Sequence, residues 1–141
     1  MKLGRLNHVG VATPSIADTL ETYRALYGVT DEDIIHIGAM PAQGVNVTFV
    51  NVPNSQIELI EPLGPDSPIA KFLEKNPAGG QHHVCFEVPD IHVARDEMKA
   101  AGATILGEPR IGAHGTLIIF IHPKNSHGVL IELMESPKEP H

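Results

Sequence analysis

Apolar residues in this chain fall into short runs and two amphipathic stretches, never into the roughly 20-residue run a membrane helix needs. Residues 15–27 and 91–101 carry apolar positions at helical spacing, which predicts helices over Ser15–Tyr27 and Ile91–Ala101. Ser15 and Asp90 suit the N-cap positions, and Gly28 and Gly102 suit the stops. Each helix follows a short strand-like run that turns at a proline, Pro14 or Pro89. Residues 44–61, GVNVTFVNVPNSQIELIE, and 115–135, GTLIIFIHPKNSHGVLIELME, each predict two strands joined by a polar turn. Further short strands are expected near Asp33–Ala39 and Thr104–Glu108, and a short helix over Pro68–Asn76.

These elements repeat. In one register His8 meets His83, Val9 meets Val84, Pro14 meets Pro89, Ile16 meets Ile91 and Ala25 meets Ala100. In a second, slightly shorter register Gly44 meets Gly115, Phe49 meets Phe120 and Asn54-Ser55 meets Asn125-Ser126. After a small insertion, IELIE (57–61) meets IELME (131–135). Two matched blocks in the same order with one small insertion point to a duplication. The chain therefore reads as one α+β domain, 1–141, made of two βαβββ modules. These span about 5–61 and 80–135, joined by a proline- and glycine-rich linker, 62–79.

Composition narrows the function. A chain of 141 residues, 42% hydrophobic and 19% charged, is globular. Its net charge of −7, the absence of a Lys/Arg cluster, and only two Tyr, four Phe and no Trp argue against nucleic-acid binding. One cysteine, Cys85, excludes an internal disulfide framework, and the N-terminus shows no apolar secretory segment. A cytoplasmic setting without membrane attachment is expected. Nine histidines are a reason to look for a metal site.

The repeat selects among them. His8 and His83 each open the first strand of a module, and Glu58 and Glu132 each lie in the last, so each module offers the same pair at nearly the same spacing. Taken singly, a histidine at a strand start is ordinarily packed or at the surface, and a glutamate in IELIE is ordinarily the exposed member of a strand. Appearing twice at equivalent places, they form a candidate set of two imidazoles and two carboxylates. That set suits Co, Ni, Mn, Fe or Zn rather than Cu(I). Period-two alternation puts Glu58 with Ile60 on one face, and Ile57 with Leu59 on the other. Adjacent strand residues point to opposite faces, so His83 is the candidate ligand, and His82 is expected to pack or to hydrogen-bond. Cys85 shares the His83 face, and its equivalent is Gly10, so it reads as a small buried residue.

The duplicated His…Glu…His…Glu pattern resembles the vicinal oxygen chelate superfamily, which includes the glyoxalases. Within it, PLGPDSPIAKFLEKN (62–76), GGQHHVCFEV (79–88), RIGAHG (110–115) and HPKNSHGVLIEL (122–133) resemble the methylmalonyl-CoA epimerase family over nearly the whole chain. The resemblance implies two modules, each a curved mixed sheet with a helix, enclosing a divalent metal held by His8, Glu58, His83 and Glu132. Co2+ is implied first, with Ni2+, Mn2+ and Zn2+ as the other candidates. It implies interconversion of (2R)- and (2S)-methylmalonyl-CoA, as in propionate metabolism, by metal-assisted proton abstraction at C2 through an enolate. It also implies a homodimer. Glu132 and Glu58 are the candidate acid/base pair. Lys124 is a candidate for the CoA phosphates, and His114, in a glycine-flanked loop, for a substrate contact. Some bacterial epimerases carry a glutamate acid/base where this chain has Val47, and valine holds no proton. The Glu58 position is glutamine in some members, so glutamate here also resembles the glyoxalase I set. Two alternatives follow: a metal-dependent lyase acting on a glutathione hemithioacetal, and a non-enzymatic small-molecule-binding protein of the same superfamily.

Overall fold

In the computed structural model, which describes residues 1–138, the chain forms two compact units. One comprises Val9–His82 and the other Met1–His8 with the chain from His83 onward. Strand β1, Leu6–Ala12, contributes its first three residues to the second unit and the rest to the first.

In the unit Val9–His82, β1 leads into helix α1, Ile16–Tyr27. The Ser15 hydroxyl accepts from the Asp18 amide at 3.1 Å, and Glu61 Oε1 accepts from the Ile16 amide at 2.8 Å. Two of the amides left over at the helix start are thus satisfied. Gly28 closes the helix with a φ of 70°, a left-handed conformation that glycine adopts without penalty. Strands β2 (Ile34–Met40), β3 (Val45–Val52) and β4 (Ser55–Pro62) follow, in the order β2-β3-β4-β1. β2 pairs antiparallel with β3, and β3 with β4. Ile16 and Leu20 of α1 pack with Val50 and Leu59 on one sheet face. Val47, Phe49, Glu58 and Ile60 occupy the other: Phe49 stands opposite Glu58 and Val47 opposite Ile60. Helix α2, Pro68–Lys75, starts at the Ser67 cap with proline at its first position. After it the chain passes close to β1 at Gly79. A Cβ there would stand 2.5 Å from the Ala12 carbonyl oxygen, and φ is +96°, so the position needs glycine.

The other unit repeats this plan. Strand β5, Gly80–Val88, leads to helix α3, Ile91–Ala100. Asp90 Oδ1 accepts from the His92 and Val93 amides at 2.9 and 3.1 Å. Glu135 Oε1 accepts from the Ile91 amide at 3.2 Å, as Glu61 does at α1. Strands β6 (Ile105–Ile111), β7 (Leu117–Ile121) and β8 (Ile131–Glu135) complete the order β1-β5-β8-β7-β6. The sheet is mixed: β5 runs parallel to β8, whereas β6–β7 and β7–β8 are antiparallel. Ile91 and Ala94 of α3 pack on Val88, Ile119 and Leu133. The opposite face carries Cys85, Ile118, Phe120, Glu132 and Met134, with Phe120 opposite Glu132 and Cys85 beside it.

The elements fall close to where the pattern places them, and two differences concern the second module. β6 runs on past the expected end at Glu108, through Pro109 to Ile111. It is the outermost strand of its sheet, where a residue without an N–H is tolerated. The expected polar turn between β7 and β8 is longer than its counterpart. Only Pro53 and Asn54 separate β3 from β4, whereas β7 and β8 are joined through a one-turn 3₁₀ helix, Pro123–Ser126. The inserted residues of the second module are accommodated in this segment.

Candidate metal centre

In the unit that holds them, His8, His83 and Glu132 converge. His8 is 1% exposed, His83 3% and Glu132 5%, so three polar side chains sit where an unsatisfied one would be costly. Glu132 Oε1 lies 3.1 Å from His8 Nε2 and 3.0 Å from His83 Nε2, and the two Nε2 atoms are 3.3 Å apart. Ligands about 2.1 Å from one ion are separated from each other by about 3.0–3.4 Å at octahedral or tetrahedral angles. The three donors therefore have the spacing and chemistry of one face of a divalent cation site.

Sheet register produces the convergence. Glu132 stands beside Cys85 on β5, and His83 precedes Cys85 on the same face. Cys85 is fully buried and packs with Ile118 and Met134, so it forms part of the apolar floor. His82, facing the other way, lies edge-on to Phe72 with ring centroids 5.2 Å apart, the packing role expected of it. Phe120 supports the site from a third direction. Its ring is edge-on to His83 with centroids 5.7 Å apart. The Arg110 guanidinium lies over the same ring, 5.5 Å from its centroid, a cation–π contact. Burial by itself raises the pKa of the Glu132 carboxyl. Contacts with His8 and His83, and their charge when protonated, outweigh it and hold the group down to about 2.

Glu58 lies in the other unit, 7% exposed on β4 and facing Phe49, just as Glu132 faces Phe120. Val47 is 1% exposed on the same face, so an apolar side chain fills that position. The His114 ring stands 5.7 Å from that of His8, so the loop between β6 and β7 approaches the histidine pair. Lys124 is exposed on the 3₁₀ turn, where its backbone amide donates to His122 Nδ1 at 3.0 Å.

Sequence reasoning missed two residues behind His8. Asn7 and Glu87 are 5% and 3% exposed. Asn7 Oδ1 lies 2.7 Å from His8 Nδ1, Asn7 Nδ2 donates to Glu87 Oε2 at 2.9 Å, and Arg5 approaches the same carboxylate oxygen at 3.4 Å. A signal existed for Glu87, since it shares the strand parity of His83 and Cys85. The repeat hid it, because its equivalent is Ala12.

Comparison with known proteins agrees with this geometry. The Glyoxalase/Bleomycin resistance protein/Dioxygenase superfamily model matches residues 7–120. An ethylmalonyl-CoA/methylmalonyl-CoA epimerase from Cereibacter sphaeroides is 52% identical, covering 93% of this chain and 97% of that one. The mitochondrial methylmalonyl-CoA epimerase of Bos taurus is 50% identical over 95% of this chain and 75% of its own. A solved methylmalonyl-CoA epimerase in complex with methylmalonyl-CoA and NH4+ superposes with a TM-score of 0.86 at 34% identity, covering 97% of each chain. The chain belongs to the glyoxalase/bleomycin resistance/dioxygenase superfamily and, within it, to the methylmalonyl-CoA epimerases.

Proposed function

We infer that this protein interconverts the (2R) and (2S) epimers of methylmalonyl-CoA by removing and returning the C2 proton. The observation that carries the reading is the buried His8–His83–Glu132 trio in a chain half identical to known epimerases. A bound divalent cation supplies a Lewis acid for the charge that develops on the thioester oxygen when C2 loses its proton. Co2+ is the first candidate, with Ni2+, Mn2+ and Zn2+ next. We assign Glu58 as the fourth ligand, because it duplicates Glu132 in sequence, burial and the phenylalanine it faces.

Inverting a centre takes proton transfer on both faces, and Glu132 and Glu58 are the proposed pair. A carboxyl held down to about 2 is a weak proton acceptor, so Glu132 serves as a base only after releasing its histidine contacts. Glu58 is the second member of the proposed pair. His114 is assigned to substrate, Lys124 to the CoA phosphates, and the protein to a cytoplasmic homodimer acting in propionate metabolism.

The test is deuterium wash-in. Metal-loaded protein is incubated with one methylmalonyl-CoA epimer in D2O, alongside His83→Ala, and the reaction is followed by NMR. Metal-dependent deuteration with inversion, lost in the variant, is the expected result. Exchange at the protein-free rate with every metal tried overturns the assignment, and a glutathione hemithioacetal is then the next substrate. Running ethylmalonyl-CoA in parallel defines how long an acyl branch is accepted.

A further inference from the structure

We propose that Glu87 and Asn7 are positioning residues that lock His8 with its proton on Nδ1 and so reserve Nε2 for the metal. The inference rests on the metal reading of the trio, but its decisive observation lies behind it.

The assignment follows from what each group is able to do. The Glu87 carboxylate, beside the Arg5 guanidinium at 3.4 Å, accepts hydrogen bonds and donates none. The Asn7 amide therefore turns its NH2 toward Glu87, at 2.9 Å. Its carbonyl oxygen is then the atom facing His8 Nδ1, at 2.7 Å. An oxygen at that place demands N–H from the ring. One imidazole nitrogen is thereby committed as donor, and the other, Nε2, is the atom aimed at Glu132 and His83. The chain Arg5–Glu87–Asn7–His8 fixes the ring's orientation as well as its tautomer, the general role of groups behind a metal ligand. The place before His83 is taken by His82, whose ring lies edge-on to Phe72.

Long-range ¹H–¹⁵N correlation spectra of the imidazoles, with His8 assigned from a His8→Gln variant, read the tautomer directly. Zinc is the probe ion, its affinity measured by competition with a chromophoric chelator. In wild type, His8 Nδ1 is expected to carry the proton both with and without zinc. Glu87→Leu frees the Asn7 amide to rotate, so a mixed tautomer and roughly 10- to 100-fold weaker zinc binding are expected. Glu87→Gln keeps an acceptor for Asn7 and should restore a single tautomer and near-wild-type affinity. An unprotonated Nδ1 in wild type overturns the proposal without recourse to any variant, even if Glu87→Leu does not fold. So does a folded Glu87→Leu with unchanged His8 signals and zinc affinity. A wild type that binds no metal would sink the metal reading instead, and the metal-free spectrum would still decide this one.

Discussion

Glu132 is the residue on which the trio turns, since one carboxylate oxygen serves both imidazoles. Glu132→Gln keeps the shape and removes the charge, so a bound ion would lose one of its two proposed anionic ligands. Several kcal/mol of transition-state stabilisation attributed to the ion correspond to about 10³-fold in rate, so kcat/KM should fall by about that factor. Metal content after gel filtration should fall with it. Glu58→Gln is the informative contrast: glutamine still offers a carbonyl oxygen to an ion but takes no proton. Retained metal with deuterium wash-in abolished would mark Glu58 as base, whereas retained metal with undiminished wash-in would reduce it to a ligand. His8, His83 and Glu132, which converge, were legible because duplication named each residue type twice. Asn7 and Glu87 were not, since a support that serves one histidine leaves no echo in the other module.

At the scale of elements, the helices show why the repeat is legible in the sequence. Each is fixed at its start by two side chains at equivalent positions, a cap (Ser15 or Asp90) and a glutamate from the last strand (Glu61 or Glu135). The caps were visible as residue types before an amphipathic run. The glutamates were not, because reaching a helix start from a strand so much later in the chain is a tertiary fact. Asp90 accepts two amides and Ser15 one. Asp90→Ala should therefore cost more than Ser15→Ala, both losses being about 1 kcal/mol. Urea midpoints at constant m-value check the order; equal losses would mean that Glu135 compensates at α3. The element ends that escaped prediction have local causes. Pro109 is admitted by an edge strand, and the β7–β8 connection is drawn out by an insertion whose conformation no periodicity encodes.

For the whole molecule, the trio read as a metal site ties stability both to metal and to pH. An ion that binds only the folded chain adds about 2.7 kcal/mol at a hundredfold excess over Kd, and a chelator should remove that increment from the unfolding midpoint. Lowering pH should remove it too, because the donors must be deprotonated to hold an ion. Glu132 behaves differently. Its pKa is depressed from 4.5 to about 2 in the folded chain. It therefore contributes stability fully above its unfolded value, and that contribution is lost as pH falls from about 4.5 through 2. Acid titration of the protein without added metal should accordingly show the urea midpoint falling as pH drops below 4.5. Glu132→Gln lacks the second contribution, so the gap between wild type and variant should close over that lower window. A gap between wild type and variant that stays constant across that window would mean that the Glu132 carboxyl is not held down in the folded chain.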